Sequence, residues 1–221
     1  MINPYNADYF ERGIETGTSC YSNYRWLPEL TVPMAMSYID YLGLTKEHKI
    51  LDFGCAKGFT VKALRLLYRQ AWGCDVSPYA VNSADNETRQ YLKISDGDIP
   101  WDFDFDFIIS KDVFEHIPED FIDGTLQILA KAGNKMFAIV PLATTKGEFV
   151  IPAYNLDTTH CLARTYYWWV GTFKENGWDL IDFSYHVPGI KDSWSNFEDG
   201  NGFFLLETNN NVDKDRMGVV V

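Results

Sequence analysis

Residues 50–58 read ILDFGCAKG, and this stretch decides the fold. It joins a short apolar run, KILDF at 49–53, to a segment with helical apolar spacing, FTVKALRLLYRQ at 59–70. Glycines in such a turn let a ligand approach the backbone closely, and the first turn of the helix favours a negative group. The stretch therefore predicts a strand–turn–helix unit with a ligand site at its turn.

Strand-like and helix-like segments alternate after this unit. The predicted strands are 71–76, 91–95, 105–110 and 135–140, and the predicted helices are 78–84, 118–131 and 165–177. Such alternation favours a parallel sheet covered by helices on both faces. Residues 178–185 and 202–207 then form two strands with no helix between them, which predicts an antiparallel pair at the sheet edge. The expected fold class is a doubly wound α/β sheet of seven strands, mostly parallel with an antiparallel edge strand.

The chain is expected to form a single domain, because 221 residues is a common size for one α/β domain. Residues 1–27 show no clear periodicity and predict an irregular arm, whereas 29–42 have the apolar spacing of a helix. We divide the domain into an N-terminal arm and helix, a ligand-binding half and a second half, at residues 1–45, 46–141 and 142–221.

Composition argues against several kinds of binding partner and cellular location. The formal net charge of −12 repels phosphate backbones and anionic lipid, so we expect neither a nucleic-acid nor a membrane partner. The N-terminus has no basic region followed by an apolar run, and no apolar stretch approaches the ~20 residues that span a bilayer. The four cysteines form no CxxC pair, which favours reduced thiols and a cytoplasmic protein: Cys20, Cys55, Cys74 and Cys161.

The turn at 54–59 does not match the dinucleotide fingerprint GxGxxG. The three glycine positions of that pattern hold Gly54, Ala56 and Phe59, so a nicotinamide dinucleotide site is disfavoured. Asp75 ends the second predicted strand 17 positions after Gly58, where an acidic side chain can bind ribose hydroxyls.

Four motifs follow one another in a set order: LDFGC at 51–55, GCDVS at 73–77, GDIPW at 97–101 and FDFIISKDVFEHI at 105–117. The series resembles the class I S-adenosylmethionine-dependent methyltransferases over about residues 49–140. The resemblance implies a Rossmann-like sheet of seven strands whose last strand is antiparallel. It also implies S-adenosyl-L-methionine as the cofactor.

The same resemblance assigns residues to each part of the cofactor. The methionine end falls to Asp52, Gly54, Cys55, Ala56 and Gly58, the ribose to Asp75 with Val76, the adenine to Asp98 and Ile99, and the cofactor's edge to Ser110 and Lys111. Asp96 competes with Asp98 for the adenine. Ala56 stands where the family usually has glycine, which is tolerable if its φ is negative. S-adenosylmethionine is net positive, so this row of carboxylates suits it.

Methyl transfer to an oxygen of high pKa needs a base, and two histidines are candidates. His160 lies in NLDTTHCLA, where Asp157 could orient its imidazole, and a loop histidine bonded only to backbone is the competing interpretation. His116, in DVFEHIPE, is the second candidate, and capping near Pro118 would explain it equally well. We expect no metal, although Asp112 and Asp157 are available carboxylates.

The chain from 154 to 204 is rich in aromatic residues, most of them expected in the core. Tyr167 and Trp168 fall off the helical stripe and could line a substrate wall, with further contacts from Lys191, Asp192 and Trp194. The D-x-x-H segment and the tryptophan-rich helix resemble methyltransferases that act on sugars and polysaccharides. Aromatic residues of the N-terminal arm are expected to close over the cofactor: Tyr9, Tyr21, Tyr24 and Trp26, with Arg25.

The sequence therefore predicts a methyltransferase that O-methylates a small molecule or a glycan. The alternative is a non-catalytic partner protein that binds S-adenosylmethionine but has no open acceptor pocket. Phe59, at a position where a dinucleotide-binding loop has glycine, argues against an oxidoreductase. The negative net charge and the lack of an NPPY-like motif argue against a nucleic-acid methyltransferase. The acceptor and the oligomeric state are left open.

Overall fold

Seven strands form one mixed sheet in the computed structural model, which describes residues 3–209. The strands are β1 (Lys49–Phe53), β2 (Gln70–Asp75), β3 (Leu92–Ile94), β4 (Phe105–Lys111), β5 (Gly133–Pro141), β6 (Trp178–Ser184) and β7 (Asn201–Thr208). Their order across the sheet is β3-β2-β1-β4-β5-β7-β6. Only β7 runs antiparallel to its neighbours β5 and β6. The predicted α/β fold class is confirmed, with the antiparallel strand placed one position inside the edge.

Seven helices accompany the sheet in the part of the chain that the structure describes. They are α1 (Ala7–Thr16), α2 (Pro28–Leu42), α3 (Phe59–Leu66), α4 (Pro78–Asn82), α5 (Asn86–Arg89), α6 (Glu119–Ala132) and α7 (Tyr166–Glu175). Short 3-10 turns cover Phe114–His116, Pro152–Leu156 and Asp192–Trp194. Within residues 3–209, no helix combines the length and the apolar character needed to cross a membrane.

The core lies in two layers, one on each face of the sheet, because successive strand residues point to opposite faces. Ile50 of β1 packs with α2 and α3, whereas Leu51, the next residue, packs with α6 and α7. In β5, Phe137 and Met136 divide between the two layers in the same way. Strands buried on both faces are the reason that the sequence shows continuous apolar runs here rather than alternation.

Two predicted elements differ from the structure. Residues 1–27 are not an irregular arm throughout, because they contain α1. Asn6 caps this helix by accepting hydrogen bonds from two backbone N–H groups, and Tyr9 and Phe10 are buried on one face. Helix α3 is shorter than expected and ends at Leu66, since Tyr68 adopts a left-handed backbone with φ 59° that starts the turn into β2.

Candidate functional site

A cavity of about 920 Å³ opens where the carboxyl ends of β1, β2 and β4 meet. In an open parallel sheet, ligands bind in this crevice, beside the strand where the order reverses. The loops after these strands line it, the N-terminal arm and α2 cover one side, and α6 forms the other. No residue from 142 to 209 lines the cavity, so the second half of the chain supports the site from behind.

The loop after β1 turns tightly against the end of β2. The N–H groups of Gly54 and Cys55 both donate to the carbonyl of Cys74, at 2.9 and 3.0 Å. Gly54 has φ 78°, and a Cβ there would collide with the side chain of Val113. Glycine is therefore required at Gly54 for both conformation and space.

Ala56 adopts φ 48°, so the condition under which alanine would be tolerated without strain, a negative φ, is not met. The left-handed conformation costs an L-residue roughly 1–2 kcal/mol. The Ala56 N–H donates to Oδ2 of Asp75 at 2.7 Å, which helps to hold the loop in this conformation. The chain thus keeps the backbone shape of a glycine turn without the glycine.

Asp75 holds the loop and faces the cavity at once. Its Oδ1 accepts a hydrogen bond from the Ser77 N–H at 2.8 Å, while Oδ2 accepts the one from Ala56. Burial raises the pKa of Asp75, and these two hydrogen bonds oppose the shift. Each carboxylate oxygen keeps a second lone pair, so the assigned ribose contact is compatible with this structural role.

Asp52 is buried, with 6% of its surface exposed, and it lines the cavity. Burial, together with the negative charge of Asp75, raises the pKa of Asp52 to about 7. Within residues 3–209 it forms no ion pair, although Lys111 lowers its pKa somewhat. Two adjacent carboxylates without a paired cation are suited to a ligand that brings positive charge, as S-adenosylmethionine does.

Of the two acidic residues predicted to bind the adenine, Asp96 is better placed than Asp98. Ser95, Asp96 and Gly97 line the cavity, whereas Asp98 is exposed outside it. The backbone carbonyl of Asp98 accepts a hydrogen bond from the Ser95 hydroxyl at 2.5 Å. Ile99 packs against the core layer of α6 and α7.

The remaining assigned residues divide into two groups. Cys55, Val76 and Lys111 line the cavity, whereas Gly58 and Ser110 do not. Gly58 begins α3 with φ 73°, and a Cβ there would lie 2.6 Å from the side chain of Leu92. Glycine is therefore required at position 58 for both conformation and packing.

Asp112 carries two ion pairs at the floor of the cavity. Lys111 Nζ lies 2.6 Å from one carboxylate oxygen, and Lys191 Nζ binds the other. Burial alone would raise the pKa of Asp112, but the two ammonium groups hold it well below its usual range. Lys191 is thus placed close to the site, as expected, but as a partner of Asp112 rather than as a wall of the cavity.

The N-terminal arm covers the cofactor side of the cavity. Tyr9, Tyr21, Tyr24 and Arg25 line it, and Trp26 instead packs against Phe59. The loop itself anchors this arm, because Lys57 Nζ donates to Glu11 at 2.5 Å and to the carbonyl of Tyr24 at 2.7 Å.

His116 lines the cavity and is held by a relay of hydrogen bonds. The Thr159 hydroxyl donates to Oδ1 of Asp157 at 2.7 Å, so its oxygen accepts from Nδ1–H of His116 at 2.8 Å. The lone pair is therefore on Nε2. Burial and the neighbouring His160 lower the pKa of His116 to about 4, which keeps the imidazole neutral at pH 7.

His160 lies behind His116 and does not line the cavity, with 4.5 Å between the two ring centroids. Its Nδ1 donates to the carbonyl of Tyr154 at 2.6 Å. The expectation that Asp157 orients His160 is wrong, because the Asp157 carboxylate binds Thr159 and the Tyr9 hydroxyl. Asp157 thus orients His116, through Thr159.

The expected aromatic wall on α7 is also wrong. Tyr167 is 82% exposed, and Trp168 borders a separate small pocket beside Arg164. Trp194 packs against Tyr154, away from the cavity. The aromatic lining of the cavity comes largely from the N-terminal arm, with Tyr9, Tyr21 and Tyr24, and no residue of α7 lines the cavity.

Sequence reasoning did not single out Glu115. This residue is fully buried, and neither carboxylate oxygen has a hydrogen-bond partner. Burial, together with the charge of Asp112, raises the pKa of Glu115 to about 8. The sequence DVFEHIPE shows that Glu115 and His116 are neighbours, whereas only the tertiary fold brings Thr159 and His160 next to them.

Several solved structures with the same fold are named as methyltransferases. The similar structures include a chain from the complex between the Haloferax volcanii Trm112 methyltransferase activator and a protein assigned as a methyltransferase, at 14% identity and TM-score 0.65, covering 82% of this chain and 91% of that one. Magnesium protoporphyrin IX methyltransferase of Synechocystis PCC 6803, solved with S-adenosylhomocysteine, has 14% identity, TM-score 0.59 and coverages of 81% and 82%. A TehB-like methyltransferase of Corynebacterium glutamicum ATCC 13032 has 16% identity, TM-score 0.59 and coverages of 80% and 88%.

The sheet order and the cavity at the strand ends are those of the Rossmann-like fold found in S-adenosylmethionine-dependent methyltransferases. Residues 51–137 match the family model described as a methyltransferase domain. Over that stretch the chain is similar to methyltransferases, and S-adenosylhomocysteine is bound in one of the similar structures. No curated protein sequence matches the chain.

Proposed function

We propose that this protein is an enzyme that transfers the methyl group of S-adenosylmethionine to a hydroxyl oxygen of a small molecule. The observation that carries the proposal is one continuous cavity that joins the cofactor residues Asp52 and Asp75 to the neutral imidazole of His116. A protein that only binds the cofactor needs no chamber beyond it and no fixed lone pair within it.

The size and lining of the cavity support a small acceptor. Its volume of about 920 Å³ is near the upper end of the range, about 300–1,000 Å³, that ligand sites occupy, so a second molecule can enter beside the cofactor. Phe121 of α6 is 66% exposed and Leu30 of α2 is 64% exposed, and both line the cavity. These apolar side chains at the mouth favour an acceptor with an apolar or aromatic body.

The cofactor supplies an electrophilic methyl group on a positively charged sulfur. In the reaction, the carbon–sulfur bond breaks, an oxygen–carbon bond forms, and the acceptor hydroxyl releases one proton. The chain's part is to exclude water beneath the arm, to align the oxygen with the methyl group and to activate the hydroxyl at the lone pair of His116. Thr159 and Asp157 keep that lone pair on Nε2.

Acceptor screening followed by substitution tests this proposal. Formation of S-adenosylhomocysteine is measured with panels of phenolic, aliphatic and sugar hydroxyl compounds. His116→Gln is expected to lower turnover about 10²- to 10⁴-fold with cofactor affinity unchanged. His186→Gln is the matched control, because His186 is a surface histidine paired with Asp192.

A glycan acceptor and a non-catalytic role remain outcomes of the same screen. Methylation of sugars in preference to apolar alcohols would restore the glycan acceptor predicted from the sequence. Cofactor binding without methyl transfer to any acceptor class would support the non-catalytic partner and overturn the proposed enzyme.

A further inference from the structure

Glu115, His116 and His160 each place one potential ligand atom within 4.8 Å of the other two. They come from the turn after β4 and from the distant segment before α7, so only the fold brings them together. We infer that these three side chains form a binding site for one transition-metal dication, through which the acceptor hydroxyl is activated. This inference rests on the proposed function for its role in catalysis, but the site itself stands independently.

The buried carboxylate is the first reason. Glu115 is fully buried and both of its oxygens lack a hydrogen-bond partner. Lys191 forms its ion pair with Asp112 instead. A buried charge without a partner costs several kcal/mol, so a group in this position needs a cation or a proton close to it.

The orientation of both imidazoles is the second reason. His116 donates Nδ1–H to Thr159, which in turn donates to Asp157, and His160 donates Nδ1–H to the carbonyl of Tyr154. This arrangement leaves Nε2 of each ring free. Histidines that bind metals nearly always donate the other ring N–H to a carbonyl, hydroxyl or carboxylate in this manner.

The local charge is the third reason. Both nearby ammonium groups, those of Lys111 and Lys191, pair with Asp112. Within the described residues, Glu115 therefore has no cation of its own, and its carboxylate is available to a metal ion. Two imidazoles and one carboxylate suit Zn²⁺, Fe²⁺ or Co²⁺ better than Mg²⁺ or Ca²⁺, which prefer oxygen ligands.

The geometry would leave one coordination position for the acceptor. Bonds of about 2.0–2.2 Å place neighbouring ligands of a tetrahedral ion roughly 3.4 Å apart, so the three groups, now within 4.8 Å of one another, move closer by up to about 1.4 Å on binding. His116 faces the cavity, whereas Glu115 and His160 lie behind it. An acceptor oxygen entering from the cavity would complete the coordination. Because Nε2 of His116 would then hold the metal, the more acidic bound hydroxyl would give its proton to a water molecule rather than to His116.

Metal binding without any acceptor tests the site. The untagged protein is stripped with a chelator and titrated with Zn²⁺ by calorimetry, then with Co²⁺ by visible absorption. We expect one ion per chain and the intense absorption of a low-coordinate Co²⁺ site. Glu115→Gln and His160→Gln should each weaken Zn²⁺ binding about 100-fold or more, and Thr159→Val about 10-fold. His186→Gln should bind Zn²⁺ as the natural protein does.

S-adenosylmethionine affinity, measured on each variant, reports that the fold persists. If Glu115→Gln does not fold, His160→Gln tests the same site from the other segment. Failure to bind Zn²⁺, or equal weakening in His186→Gln, would overturn the metal site and indicate that the cluster holds a shared proton. Methyl transfer that continues undiminished in chelator would refute the metal's role while leaving the proposed function intact. A bound metal without methyl transfer to any acceptor would refute the function alone.

Discussion

Replacing Asp52 with asparagine should remove a defined part of the pH dependence of stability. In the folded protein, burial and the charge of Asp75 raise the pKa of Asp52 from its ordinary value of 3.8 to about 7. Between these two values the folded chain keeps a proton that the unfolded chain has lost. The stability contributed by that proton is complete below pH 4 and is lost as the pH rises to about 7.

The difference in pKa sets the magnitude. Roughly three pKa units, at about 1.4 kcal/mol each, correspond to up to about 4 kcal/mol in the free energy of unfolding between pH 4 and pH 7. Asparagine has no proton to lose, so the gap between Asp52→Asn and the natural protein should widen in favour of the variant as the pH rises. Above pH 7 the gap should be constant.

The assay is urea denaturation of both proteins from pH 4.5 to pH 8.5. Asp179→Asn, an exposed carboxylate on β6, is the matched control and should follow the natural protein at every pH. Taking the difference between the two proteins cancels the titration of groups that do not interact with Asp52. Parallel curves for the natural protein and Asp52→Asn would refute the reasoning.

The same titration predicts how the cofactor binds. A carboxylate that must be ionised to bind a positive ligand is about 10% ionised one unit below its pKa and about 90% ionised one unit above. Affinity for S-adenosylmethionine should therefore rise about 10-fold from pH 6 to pH 8 in the natural protein, relative to Asp52→Asn. The ratio removes the ligand's own titration, and a flat ratio would exclude Asp52 from the binding site.

Three other substitutions test separate parts of the site. Thr159→Val should lower turnover about 10- to 100-fold in steady-state assays and leave the cofactor dissociation constant unchanged, because Asp157 can then no longer orient His116. The control is Thr145→Val, at an exposed threonine. An equal loss of turnover in the control would contradict the hydrogen-bond relay. Ala56→Gly should raise the free energy of unfolding by about 0.5–1 kcal/mol in urea, since glycine relieves the left-handed strain at some entropic cost, whereas Ala84→Gly, at a negative φ, should lower it. Asp75→Ala should weaken S-adenosylmethionine binding about 10- to 100-fold by calorimetry and also lower stability, because the N–H groups that it accepts lose their partner. Unchanged affinity in Asp75→Ala would reduce this residue to its structural role.

The order of the elements was predictable because it depends on local patterns. Apolar runs bounded by Gly54 and by Ser77–Pro78 mark where strands end and helices begin, and the structure places these elements within a few residues of the prediction. Helix α1 was missed because its apolar face is made of tyrosine and phenylalanine among polar residues, and its signal rests on the Asn6 cap.

The cofactor side of the site was more predictable than the acceptor side for a physical reason. Asp52, Gly54 and Asp75 lie at strand ends within one continuous motif series, so sequence spacing fixes their proximity. The orientation and tautomer of His116 depend on hydrogen bonds to Thr159, 43 positions away, and from Thr159 to Asp157. The sequence paired Asp157 with His160 rather than with His116, because a spacing of three residues in a loop does not determine which way the two side chains point.

Calorimetric titration with S-adenosylmethionine, S-adenosylhomocysteine and NAD tests the central claim most directly, because the acidic cavity beneath the arm was assigned to the first two. We expect both methyltransferase ligands to bind with one site per chain, and binding of S-adenosylmethionine to weaken in Asp52→Asn. NAD should give no heat, since Phe59 stands where its pyrophosphate loop needs glycine. Binding of NAD with no response to S-adenosylmethionine would contradict the account.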